Sequence, residues 1–139
     1  MTPHQEIDNQ IFLLGKKLTL KQPADGFKTG LDAVMLASAC PLKAGQTVLD
    51  LGCGVGSAGF CVLKRVEGAH LTGVEIQENH VALAQVNAEL NNYSKQVEFI
   101  NADIRSFKCE QKFDHVICNP PYLETGAHLR SPSDEKATA

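Results

Sequence analysis

Val48-Leu49-Asp50-Leu51-Gly52-Cys53-Gly54-Val55-Gly56 decides the fold. A short apolar run of strand type, beginning at Thr47 after a turn at Gly45, carries an acidic residue near its end. It breaks into glycines at alternate positions, then passes into an apolar helical stretch from about Ser57 to Arg65. Glycines at such a junction let the backbone turn tightly and come within contact of a ligand. The following helix points free N–H groups and a positive dipole end at whatever binds. A glycine turn alone is weak evidence, because any sharp turn after a strand favours glycine.

The pattern continues outward on both sides. Downstream, a strand from about Leu71 to Ile76 is followed by a helix that Asn79 can cap. Leu83, Val86 and Leu90 recur there at helical spacing, and Asn91-Asn92 stops it. A third strand spans Val97 to Ile100, a short helix is expected next, and a fourth strand runs from Phe113 to Cys118. Strands alternating with helices predict an α/β fold with a parallel sheet and right-handed crossovers. Upstream, residues 5–22 read as a hairpin around Gly15-Lys16-Lys17. Residues 29–39 read as a helix, with Thr29 and Asp32 as an approximate capping box, Leu31, Val34, Met35 and Ser38 on one face, and Pro41 ending it. This divides the chain into an N-terminal hairpin and helix (1–44), a ligand-binding core (45–122) and a polar tail (123–139).

Composition sets broad limits. The 139 residues suit one domain, and 43% hydrophobic with 21% charged residues is ordinary for a globular protein. No run of about 18 apolar residues suggests a membrane span, and MTPHQEIDNQ lacks the regions of a signal peptide. A net charge of −3 does not advertise nucleic-acid binding, although a basic face could exist locally. Cys40, Cys53, Cys61, Cys109 and Cys118 form no CxxC pair and no metal-like spacing with His, so no metal is expected. They read as small buried hydrophobes in a reducing cytoplasm.

Two further acidic residues give the glycine turn a context. Glu75 lies 25 residues after Asp50, at the end of the next strand, where ligands bind in open α/β sheets. It can accept both hydroxyls of a ribose. Asp103, at the end of the third strand, can accept from an adenine amino group; it can equally cap a helix, and the two roles are compatible. A nicotinamide dinucleotide is the competing ligand, since Gly54-Val55-Gly56-Ser57-Ala58-Gly59 matches GxGxxG and Glu75 follows at a suitable distance. Asp50 argues against it. A carboxylate before the glycines repels a pyrophosphate and welcomes an α-amino group.

Asn119-Pro120-Pro121-Tyr122 follows the fourth strand. The prolines stiffen the backbone and remove two N–H donors. The Asn119 side-chain oxygen and the Pro120 carbonyl can then accept both hydrogens of one NH2 group. Such a group on adenine, guanine or a carboxamide is a poor nucleophile because its lone pair is delocalised. Two acceptors favour a tetrahedral nitrogen and free the lone pair for attack. Tyr122 offers a face for stacking.

Val48 to Gly56 resembles motif I of the class I S-adenosylmethionine-dependent methyltransferases, which have a Rossmann-like fold. Glu75 resembles their ribose-binding acid, and Asn119 to Tyr122 the NPPY motif of amino-group methyltransferases. Leu18-Thr19-Leu20-Lys21-Gln22-Pro23, Gly26-Phe27-Lys28-Thr29-Gly30-Leu31-Asp32-Ala33-Val34 and Leu71-Thr72-Gly73-Val74-Glu75-Ile76-Gln77 are similar to the bacterial tRNA adenine-N6 methyltransferases acting on a valine tRNA. The resemblance implies S-adenosylmethionine as cofactor, tRNA as substrate and a cytoplasmic enzyme. It implies Asn119, Pro120 and Tyr122 as catalytic residues. It implies Asp50, Gly52, Cys53, Gly54, Gly56, Glu75, Ile76, Asp103, Ile104 and Asn119 as cofactor-binding, with Gln22, Thr29 and Asp32 closing over the methionine end; Thr29 and Asp32 can instead merely cap their helix.

Such enzymes continue for roughly another hundred residues and complete a seven-stranded sheet, so the chain is expected to be a shortened form holding the first four strands. Its fourth strand is then expected to expose a pairing edge and to invite self-association. Methylation of a protein glutamine at N5, methylation of guanine at N2 and non-catalytic cofactor binding stay open. Lys16, Lys17, Lys21 and Lys28 are the one local cluster suited to RNA, balanced by Glu6, Asp8 and Asp25.

Overall fold

The computed structural model describes residues 8–23 and 31–118. The chain enters as an antiparallel hairpin, β1 (Asp8–Leu13) with β2 (Leu18–Pro23), in the expected place. Leu14, Gly15 and Lys16 take positive φ at its turn. Leu18, Leu20 and Gln22 alternate inward along β2. Helix α1 (Leu31–Ala39) follows and stops before Pro41.

The core is a parallel sheet built from β3 (Thr47–Leu51), β4 (His70–Glu75), β5 (Val97–Asn101) and β6 (His115–Cys118), with α2 (Ser57–Arg65) and α3 (Glu78–Leu90) as crossovers. Strand order is β5-β4-β3-β6. The chain winds outward from β3 to β5, then returns to the other side of β3 as β6. That reversal is a topological switch point, and ligands of open α/β sheets bind at the carboxyl ends of the strands beside it. Asp50 lies on β3 at that point, opposite Gly73 of β4 and Ile117 of β6.

The core centres on Phe60 of α2, which is fully buried and lies against Phe99 edge-on at 5.9 Å and against Tyr93 at 6.1 Å. Leu18 and Leu20 of the hairpin and Ala33 and Ala37 of α1 belong to the same cluster. Residues Ser57 to Leu63 of α2 are all buried. Its last turn supplies Arg65, whose guanidinium donates to the Ala37 and Cys40 carbonyls and so ties down the end of α1.

Several details differ from the sequence reading. On α1 the residues expected to share a face divide: Val34 is half-buried against the core, whereas Leu31 (71%), Met35 (58%) and Ser38 are exposed, and Ala33 and Ala37 are the buried positions. On α3, Val86 and Leu90 are exposed, and Val81, Ala84, Asn87 and Ala88 are buried. In both helices small side chains face inward because the helix lies close to its neighbours. Asn79 does not cap α3. Gln77 holds the N-cap position, the helix begins at Glu78, and Asn79 sits inside its first turn. The short helix expected before β6 is a turn at Ile104–Ser106, with irregular backbone either side. Cys40, Cys53 and Cys61 are buried as expected, but Cys109 and Cys118 are exposed. Among the described residues β6 pairs only with β3, and its Val116 is exposed. No described helix is long and apolar enough to cross a membrane.

Candidate functional site

The strand ends Leu51, Glu75, Asn101 and Cys118 lie along one edge of the sheet, and the glycine loop folds over it. Gly52 N–H (2.7 Å) and Cys53 N–H (3.0 Å) both donate to the Val74 carbonyl at the end of β4. Gly54 N–H donates to Glu75 Oε1 at 2.8 Å. Gly56 N–H donates to the Cys53 carbonyl at 2.9 Å, and Gly56 enters α2 with φ 97°. A Cβ at Gly56 would strike the Phe60 ring, so glycine is required there for both conformation and space. Four loop N–H groups are thus already satisfied within the protein, and a phosphate would not find them free.

Glu75 is buried, 6% exposed, and is not a solvent-facing strand end. Besides holding Gly54, it accepts from Gln77 N–H through Oε2 at 3.0 Å, with His80 Nδ1 at 3.9 Å from the same oxygen. A carboxylate offers about four acceptor sites, so each oxygen keeps capacity for a further donor. Glu75 therefore shapes the loop and can still accept from a ligand.

Asp50 is 1% exposed, and its Oδ1 has no hydrogen-bond partner. Burial, then the nearby Glu75 carboxylate, raises its pKa from 3.8 to about 7. A buried carboxyl left without a donor costs stability unless something cationic or protic comes to it. Gln22 is the other such group among the described residues: 1% exposed, with Oε1 unpartnered.

The remaining predicted residues vary. The Cys53 side chain turns into the core, where the space above Gly73 is filled by its Sγ and by Phe99. Burial, then Asp50 and Glu75, pushes its thiol pKa well up, so it is an inert packing group. Ile76 and Ile104, just beyond β4 and β5, are exposed. Asp103 lies two residues past β5 and is already engaged. Its Oδ1 accepts from Arg105 N–H at 2.9 Å, and its Oδ2 from Arg105 Nη2 at 2.7 Å, while Arg105 Nε lies 3.1 Å from both. These bonds lower its pKa to about 2. It caps a turn, since Ser106 N–H donates to its carbonyl. Thr29, Asn119, Pro120 and Tyr122 lie outside the described residues.

Four polar residues, two at this edge and two between α3 and the hairpin, make bonds that the sequence does not announce. Asn101 Nδ2 donates to the carbonyls of Glu75 and Ile76, each at 3.0 Å, and fixes how the chain leaves β4. His80 flanks Glu75. Asn87 and Asn91 join α3 to the hairpin. The one visible signal of the pair is asparagine at an i, i+4 spacing.

Comparison with known proteins finds a family, curated relatives and solved structures similar to this chain. The family model described as methyltransferase small domain matches residues 28–131. A tRNA1(Val) (adenine(37)-N6)-methyltransferase of Shewanella baltica is 36% identical over 106 residues, 73% of this chain and 44% of that protein. Its counterpart in Glaesserella parasuis is 29% identical over 124 residues, 89% of this chain and 53% of that protein. The chain spans about half the length of the curated relatives it matches. Among solved structures, the Pyrococcus abyssi tRNA (uracil-54, C5)-methyltransferase in complex with S-adenosyl-L-homocysteine has a TM-score of 0.65 at 28% identity. That match covers 82% of this chain and 28% of the other.

Proposed function

The chain belongs to the methyltransferase small domain family, and from that premise we propose that it is the S-adenosylmethionine-binding part of an N-methyltransferase acting on the exocyclic N6 of an adenine in tRNA. The observation that carries this proposal is Asp50, a buried carboxyl with an unpartnered oxygen at the switch point of the sheet. An α-ammonium group supplies the charge and the donors that oxygen lacks. A dinucleotide pyrophosphate would meet two carboxylates and a loop in which the N–H groups of Gly52, Cys53, Gly54 and Gly56 are taken.

The residues present fit the cofactor from end to end. Asp50 holds the amino group, with Gln22 as a second acceptor for the amino-acid end. Glu75 uses its remaining acceptor sites on the ribose hydroxyls. Ile76 and Ile104 offer apolar surface to the adenine, and Asp103 serves its amino group once Arg105 yields an oxygen. When bound, S-adenosylmethionine supplies a methyl group activated by its sulfonium. Asn119 and the Pro120 carbonyl accept the two hydrogens of the target NH2 and so expose its lone pair, and Tyr122 stacks on the base. The relatives' names support tRNA as the substrate, and a tRNA substrate supports a cytoplasmic location.

The test is transfer of tritiated methyl from labelled S-adenosylmethionine to total tRNA and, separately, to total protein. Label in tRNA as N6-methyladenosine is expected. Label in protein glutamine or as N2-methylguanosine, or no label in either pool, would refute the assignment. Where transfer occurs, Asn119→Ala is expected to abolish it and spare cofactor binding.

A further inference from the structure

Two asparagines one helical turn apart on α3 act as a strand neighbour for the hairpin. Asn91 Oδ1 accepts from Thr19 N–H at 3.1 Å, and its Nδ2 donates to the Thr19 carbonyl at 2.8 Å. Asn87 repeats the pattern at Lys21, accepting from N–H at 2.7 Å and donating to the carbonyl at 3.1 Å. The match is geometric. Four residues of helix rise about 6 Å, and two residues of strand about 6.6 Å. One edge of β2 is paired with β1, and the other is taken by side-chain amides.

Asn87 does more than its partner. Its Nδ2 also donates to the Val55 carbonyl at 3.0 Å. One buried amide nitrogen is thus shared between the hairpin and the glycine loop. Val55 lies directly after Gly54, which Glu75 holds. On the hairpin side, Lys21 is followed by Gln22, the inward residue whose Oε1 is buried without a partner. Asn87 has used both amide hydrogens and is itself fully buried, so it does not touch a ligand.

We propose that Asn87 is a positioning residue that sets the hairpin against the glycine loop so that Gln22 meets the amino-acid end of the bound ligand. The proposal rests on S-adenosylmethionine, or its demethylated product, being that ligand. It makes the N-terminal hairpin part of the binding site instead of a cover over the core. A hairpin merely packed on α3 would need the Asn91 bonds and apolar contacts, but no bond to the loop.

The test is calorimetric binding of two probes to the full chain: S-adenosylhomocysteine, and 5′-methylthioadenosine, which keeps the nucleoside and sulfur but lacks the amino-acid end. Asn87→Ala is expected to weaken S-adenosylhomocysteine by about tenfold, the loss of one hydrogen bond to a charged group, and to change methylthioadenosine by less than about twofold. Gln22→Met should give the same split without loss of stability, since its buried oxygen has no protein partner to lose. Asn91→Ala should lower the melting temperature and leave the ratio of the two affinities unchanged. Equal loss of both probes in Asn87→Ala, or an Asn91→Ala ratio that shifts as much, would overturn the proposal. Should Asn87→Ala fail to fold, an unchanged ratio in Gln22→Met overturns it instead. If the unsubstituted chain binds neither probe, the cofactor assignment itself fails, an outcome distinct from equal loss in the variants.

Discussion

The seam between β2 and α3 and the carboxyl ends of β3 and β4 both bury polar side chains, and they treat them in opposite ways. At the seam, Asn87 and Asn91 have their amide hydrogens and carbonyl oxygens paired with backbone. At the strand ends, Asp50 is buried as fully as Asn87 and keeps an oxygen with nothing to bond. A satisfied buried network fixes one arrangement of the chain. An unsatisfied one costs free energy in the empty protein, and that cost is recovered when a matching group arrives. The contrast separates residues that hold the architecture from residues that wait for a ligand.

Glu75 belongs to both classes, so its removal should have the largest effect. Glu75→Ala leaves the N–H groups of Gly54 and Gln77 without their acceptor and takes away the ribose ligand, each bond to a charged group being worth about 1.5–3 kcal/mol. Ligand affinity and melting temperature should fall together, the first by tenfold or more, as calorimetry and thermal denaturation would show. A variant that lost only one of the two would move Glu75 wholly into one class.

Asp50 should split the two quantities. Its raised pKa means that burial favours the protonated form, so its contribution to stability is full below the ordinary value of 3.8 and is lost as pH rises through about 7. Asp50→Asn removes that loss. The variant should be more stable than the original at pH 8 by a few kcal/mol, and it should bind S-adenosylmethionine at least tenfold more weakly. In the original protein, affinity should drop by up to about tenfold per pH unit below 7, because a proton must leave before the ammonium is received. Flat affinity between pH 5.5 and 7 would show that Asp50 does not meet the cation.

The helix faces give the smallest effects. Ala84→Leu, on the buried side of α3, should destabilise by about 1–3 kcal/mol through overpacking. Val86→Ser, on the outer side, should stay within about 0.5 kcal/mol. Denaturant titration measures both, and the reverse order would restore the face first expected from sequence.

Much of this molecule was legible before any coordinates. The alternation that gives the parallel sheet, the hairpin at Gly15, and the grouping of Asp50, the glycines and Glu75 at one edge all follow from local signals: period, glycine and charge at a strand end. The helix faces were misjudged because periodicity marks where large aliphatic residues fall. Here much of the contact is made by Ala33, Ala37, Ala84 and Ala88, which carry little hydrophobic signal of their own, alongside Val34 and Val81. The bonds of Asn87 and Asn91 to the hairpin were invisible for a related reason, although Asn91 was read correctly as the helix stop. Asparagine in a helix reads as a weak or surface residue, and its value here comes from strand backbone more than 60 residues away. Asp103 was found as a residue but not as half of a pair, because the bond to Arg105 depends on a turn where a helix was expected.

The account stands most directly on what Asp50 receives. Calorimetric titration of the purified chain with S-adenosylmethionine and, in parallel, with NAD tests it. Saturable binding of S-adenosylmethionine and none of NAD is the predicted result. NAD binding without S-adenosylmethionine binding would contradict the account.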